Sequence, residues 1–163
     1  MAFLGKLRSQ SHYAAGTLRL QWLDQGASSS PAKDLEFAVN HLRKAVKLNP
    51  GFADAHHNLG NALIMGTEYN LTMFGMFPRG RNPREHVESI NEDAYSEALN
   101  ALDRVVSLRH HFPEAHNNRA RALIKLGRAE DAFRAFDIAI EQAPGYTKAI
   151  ENRETLRKLL ESQ

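Results

Sequence analysis

The residues best suited to chemistry near neutral pH are the eight histidines of this 163-residue sequence. Five of them fall at two places, His56 and His57, then His110, His111 and His116. Imidazole is the commonest metal ligand, but neither group has two histidines four apart with an adjacent glutamate. They read instead as polar residues near helix ends, where the dipole favours them. With no cysteine present, disulfides, thiolate metal sites and cysteine nucleophiles are excluded. The sequence holds no Gly-rich phosphate loop and no nucleophile elbow. The acid pairs Glu92/Asp93 and Glu130/Asp131 fall in first helical turns, where carboxylates favour the dipole. The sequence therefore reads as that of a non-enzymatic protein with no cofactor and no metal.

A second cluster suits binding rather than catalysis. Met73, Phe74, Met76 and Phe77, followed by Arg79, Arg81 and Arg84, lie in an aperiodic stretch broken by Pro78, Gly80 and Pro83. Met and Phe offer adaptable apolar contact. Arginine adds recognition of acidic or phosphate groups. Either this stretch folds back on the rest of the chain or it is a docking loop.

Composition bounds the alternatives. A content of 42% hydrophobic and 25% charged residues is that of an ordinary globular chain. The net charge of +2 is too small to argue for nucleic acid by itself. No apolar run approaches the ~20 residues that span a bilayer, and Met1 to Lys6 does not resemble a secretory leader. These features point to a cytoplasmic setting.

The elements that must position such residues are clearest from Pro113 to Tyr146. Ala115, Ala120, Ala122, Leu123 and Leu126 share one helical face, and Gly127 ends it. A second helix from Ala129 to Gln142 turns Ala132, Phe133, Phe136, Ala139 and Ile140 inward, and Pro144 and Gly145 stop it. Ala98, Leu102, Val105 and Val106 repeat that second helix one unit earlier. Ala55, His56, Asn58, Ala62, Leu63 and Ile64 repeat the first, and Ala38, Leu42, Ala45, Val46 and Pro50 an earlier second helix.

A 34-residue helix-turn-helix unit with Ala120, Leu123, Gly127, Ala132, Phe136, Ala139 and Pro144 resembles the tetratricopeptide repeat. It departs at Arg119, where the family usually has Leu, and at His116, where it often has a large residue. The resemblance implies an all-α, right-handed α-solenoid of about three helix pairs plus a C-terminal capping helix, with a long insertion in the second repeat. The expected boundaries are a single domain over 1–163. Repeat 1 covers about 13–50 with a short insertion at 27–33, repeat 2 about 53–112 with an insertion at 66–90, repeat 3 113–146, and the cap 147–161. In repeat 1, a helix from Lys6 to Gln25 would turn Leu7, Ala14, Ala15, Leu18, Trp22 and Leu23 inward, in a register matching Gly26 to Gly127. The Ser-rich loop after it reads as flexible spacing. The second helix of repeat 2 would begin near Asn91 or Glu92.

In this family the first helices line a concave groove. The resemblance thus implies a partner-binding surface of His57, Asn58, Asn61, Asn117, Asn118, Arg121, Lys125, Lys148 and Asn152. Asn58, Asn118 and Asn152 stand at equivalent positions, and an amide both donates and accepts, so it suits the backbone of an extended peptide. Co-chaperone members grip a C-terminal carboxylate with Lys, Arg and two Asn. Asn61, Asn118 and Lys148 match that clamp, whereas His57 stands in place of a Lys and Asn152 in place of an Arg.

The leading expectation is a scaffold or adaptor binding a peptide or protein through the groove, the insertion, or both. The alternative is a structural subunit or assembly factor docking through the Met/Phe/Arg insertion. A weaker third reading is an anion or RNA binder using Arg79, Arg81 and Arg84 with Phe74 and Phe77. Self-association through the first or last helix stays open.

Overall fold

The computed structural model describes the backbone of residues 2–68 and 83–162, and the side chains of 4–67 and 91–162. Seven α-helices and no strand occur among the described residues. They are α1 (Ala2–Asp24), α2 (Pro31–Leu48), α3 (Ala53–Glu68), α4 (Pro83–Leu108), α5 (Pro113–Lys125), α6 (Ala129–Gln142) and α7 (Thr147–Glu161). Helices α1/α2, α3/α4 and α5/α6 pack as antiparallel pairs. Each pair lies on the next, and α7 closes the stack against α6.

Close approach within the pairs rests on small residues. A Cβ on Gly16 would lie 2.8 Å from Leu42 Cγ, and one on Gly60 would lie 2.7 Å from Leu102 Cγ. Ala120 and Phe136, both fully buried, hold the equivalent positions in the third pair. Gly16, Gly60 and Ala120 therefore share one repeat position, and Leu42, Leu102 and Phe136 the facing one.

This packing corrects the expected register of α1. Gly26 and Gly127 do both adopt the left-handed backbone, with φ of +64° and +70°. The helix before Gly26 nevertheless runs three residues further past the packing glycine than the helix before Gly127. As a result Leu7, Leu18 and Trp22 are exposed (47%, 48% and 38%), and Ala14 is exposed as well. The inner face is instead Ser9, Tyr13, Gly16, Leu20 and Leu23, in alternating steps of four and three. Ser9 Oγ donates to the Ala45 carbonyl at 2.9 Å, which satisfies a buried hydroxyl inside the pair.

The Ser-rich loop is tied down. Ser28 Oγ donates to Asp34 at 2.7 Å, and Arg19 holds the other oxygen of that carboxylate at 3.0 Å. Pro31 opens α2, since a first-turn residue has no intrahelical use for an N–H. The same chemistry corrects the start of α4, which begins at Pro83 and not near Asn91. α3 likewise continues to Glu68, so both ends of the expected 66–90 insertion are helical.

The Arg119 departure has a partner. Arg119 of α5 meets Asp103 of α4 at 2.5 Å, and one repeat on Arg153 of α7 meets Asp137 of α6 at 2.6 Å. The position that usually adds an apolar side chain here carries a repeated ion pair between consecutive helices. In α7, the positions equivalent to Ala120, Leu123 and Ile124 carry Glu154, Arg157 and Lys158. Arg157 is engaged with Glu154 at 2.8 Å and Glu161 at 3.0 Å. The face on which α5 seats its partner helix is thus charged in α7.

Candidate functional site

The first helices α3 and α5, with α7 beside them, frame a groove of about 560 Å³. Two recurring positions shape it. Tyr13, His57 and Asn117 are equivalent, and each is followed by an aromatic residue at the next inter-repeat turn, namely Phe52, Phe112 and Tyr146. Tyr13 meets Phe52 with ring centroids 4.7 Å apart, and His57 stacks on Phe112 at 4.7 Å. The third pair replaces this ring contact with an amide beside Tyr146, which opens the groove.

Amides dominate its lining. Asn152 Nδ2 donates to Asn117 Oδ1 at 3.0 Å, linking α7 to α5. Asn117 Nδ2 donates in turn to Asn118 Oδ1 at 3.3 Å, and Arg121 donates to the same oxygen at 3.2 Å. Asn61 enters from α3. Arg121 and Lys148 supply positive charge, and Glu114 and Glu151 supply negative charge at the rim. Burial holds the His57 imidazole below its ordinary pKa, against the opposing pull of Glu114 and Asp54, and its Nδ1 has no hydrogen-bond partner. Burial likewise lowers the pKa of His116, helped by Arg119, and leaves its Nδ1 unpaired.

The structure brings together His57, Asn61, Asn117, Asn118, Arg121, Lys148 and Asn152, seven of the expected groove residues. Asn58 does not line this groove. Its Nδ2 donates to Thr17 Oγ1 of α1 at 3.0 Å, so it serves the seam between the first two first-helices. Lys125 lines an adjoining, more apolar cleft of about 300 Å³ with Ile124, Phe136, Leu156 and Leu159, which shares Arg121 and Asn152 with the groove. Asn118 and Asn152 are held in hydrogen bonds to their neighbours, so the expected ladder is a cross-linked network and not a row of free amides. Tyr146 also lines the groove, and the sequence reading did not assign it there. The signal for it was the recurrence of Phe52, Phe112 and Tyr146. Met73, Phe74, Met76, Phe77, Arg79 and Arg81 lie outside the described residues. Arg84 falls in α4, with its side chain outside them. No group of three or more potential metal ligands occurs among the described residues.

Comparisons with known proteins agree with the repeat geometry. Residues 32–65 match the family model described as TPR repeat, and residues 91–147 match the one described as Tetratricopeptide repeat; together they cover more than half of the chain. The chain is a tetratricopeptide-repeat protein. Similar solved structures share its fold over nearly their whole length. The Arabidopsis OM64 TPR domain aligns with a TM-score of 0.67 at 18% identity, over 94% of this chain and 98% of that one. The first TPR of Spaghetti (RPAP3), bound to an HSP90 peptide, aligns at 0.65 and 14% identity, over 95% and 94%. The second TPR domain of human RPAP3, in complex with an HSP70 peptide, aligns at 0.62 and 13% identity, over 91% and 98%. No curated protein sequence matches this one. Within this tetratricopeptide-repeat protein, α1, the whole stretch between α3 and α4, and α7 beyond its first residue lie outside the two matched segments. No helix among the described residues is long and apolar enough to cross a membrane.

Proposed function

We propose that this tetratricopeptide-repeat protein is a non-enzymatic interaction module that holds an extended, acidic peptide in the groove framed by α3, α5 and α7. The observation that carries this reading is the convergence of Asn61, Asn117, Asn118 and Asn152 with Arg121 and Lys148 in one cleft. The amide groups outside their mutual hydrogen bonds, Asn118 Nδ2 and Asn152 Oδ1 among them, present a donor and an acceptor to a peptide backbone in any sequence. Arg121, by its fork, and Lys148, as a point charge, each offer a carboxylate a cationic partner, while Glu114 and Glu151 on the same lining offset their summed charge. The RPAP3 structures of similar fold hold the peptides SRMEEVD and SGPTIEEVD, which end in acidic residues, and this supports the same class of ligand here. His57 and Asn152 stand where the co-chaperone clamp has cations, so the preference is for acidic segments in general and not for those two tails.

A display library of random heptapeptides with free C-termini tests this. Enriched peptides should carry Asp or Glu, and a labelled peptide from the pool should lose most of its binding to R121A and K148A, with SRMEEVD measured alongside. Enrichment of basic or purely apolar peptides, or unchanged binding to both variants, would overturn the proposal. The same peptides measured after replacing residues 71–84 with a short Gly/Ser turn separate groove binding from docking through the insertion.

A further inference from the structure

Two histidines outside the groove face each other across the first helix pair. His12 of α1 and His41 of α2 place their Nδ1 atoms 3.1 Å apart, with ring centroids at 5.0 Å and planes inclined by 63°. Phe37, one turn before His41, stacks on the His41 ring at 4.1 Å and 19°, which fixes the plane of that imidazole. Both histidines are half-buried. A single proton shared between two Nδ1 atoms satisfies the pair when both rings are neutral.

We infer that His12 and His41 form a two-histidine site for a borderline divalent transition metal, Zn²⁺, Ni²⁺ or Cu²⁺, joining α1 to α2. Two nitrogens bound tetrahedrally at about 2.0–2.1 Å from Zn²⁺ stand roughly 3.3 Å from each other, so the observed separation needs little adjustment. Imidazole nitrogen selects these ions over Ca²⁺ and Mg²⁺, which take oxygen ligands. A metal ligand must be neutral imidazole. The two protein donors leave the remaining coordination positions to water. On binding, the ring that carried the shared proton on Nδ1 takes one on Nε2 instead, through solvent, so both ligands stay neutral and the metal bridges two helices that the Ser-rich loop otherwise connects.

The experiment is a titration of the intact protein with ZnCl₂, followed by calorimetry and by ¹⁵N-detected histidine NMR. The expected result is one saturable equivalent, with the Nδ1 resonances of His12 and His41 moving and those of His110 and His111 unmoved. H12Q and H41Q should each weaken binding by about tenfold or more, while a H110N/H111N variant should bind as the parent does. Binding unaffected by H12Q and H41Q, shifts confined to His110 and His111, or the absence of a saturable equivalent would each overturn the assignment. The NMR readout on the unaltered protein decides the matter even if a substitution disturbs the α1–α2 packing.

Discussion

Replacing Gly60 with Ala tests the close approach of α3 and α4 directly. In an ordinary helix this change stabilises by about 1 kcal/mol, because glycine has the poorer propensity. Here the new Cβ would lie 2.7 Å from Leu102 Cγ and 3.1 and 3.2 Å from its Cδ atoms. Leu102 is fully buried and cannot move into solvent. Overpacking of this kind costs about 1–3 kcal/mol. The balance is a net loss of about 1 kcal/mol, or a Tm lower by roughly 2–4 °C for a chain of this size. All three nearest atoms belong to one side chain, so the sign should reverse when that side chain is removed. In a Leu102→Ala background, Gly60→Ala should stabilise by about 1 kcal/mol, giving a coupling of roughly 2 kcal/mol between the two sites. Urea unfolding of the four proteins, followed by far-UV circular dichroism, measures the cycle, and constant m-values show that the cooperative unit is the same throughout. A Gly60→Ala variant that is more stable than the parent, or an equal effect in both backgrounds, would refute the packing argument.

Other expectations follow from single features. Gly127→Ala should cost about 1–2 kcal/mol in urea unfolding, because its φ of +70° is a left-handed conformation, whereas Gly145→Ala, with nothing within 4 Å of the added carbon, should be near neutral. Phe136→Ala removes a fully buried aromatic ring and should cost about 3–5 kcal/mol. Arg119→Ala breaks a largely exposed ion pair with Asp103 and should cost under about 1 kcal/mol. His41, His56, His57 and His116 are all held below their ordinary pKa, chiefly by burial, so the unfolded chain binds protons that the folded chain refuses. Their contribution to stability is complete above the unfolded value of about 6.5 and is lost as pH falls from there through the folded pKa values. The urea midpoint should therefore drop between pH 7.5 and pH 5.5, and less steeply in a His57→Gln variant.

Residues 113–161 were legible in the sequence almost residue by residue. There Gly127, Pro144 and the apolar spacing of α5 and α6 mark the same boundaries that packing imposes. The first helix of repeat 1 was not, because the turn glycine Gly26 marks where a helix ends and not what it packs against, whereas its second helix buries Ala38, Leu42 and Ala45 as expected. The marks of register were Gly16 and Gly60, glycines in mid-helix that face leucines, and their meaning depends on contacts between distant positions. Pro83 read as loop punctuation because the stretch before it is rich in breakers, although proline is equally at home in a first helical turn. In the groove, the residue types were legible and their directions were not. Asn58 and Asn118 share a repeat position, yet Thr17 gives Asn58 a partner on α1, and only the seating of α1 reveals it. Lys125 was placed in the groove by the family resemblance and lines the cleft that adjoins it.

The charged face of α7 bears on how this protein behaves among copies of itself. A stack of identical modules is open at both ends, and an end that still offers the next module's seat invites head-to-tail growth into filaments. At this end, such growth would bury Glu154, Arg157 and Lys158 under an incoming helix and strip water from three charges. The opposite end exposes Leu4, Leu7, Leu18 and Trp22 on α1, with Lys6 and Arg8 exposed among them. The two ends are therefore chemically unlike, and a chain of copies joined end to end would meet its barrier at every α7. Removing those charges would take that desolvation barrier away from α7.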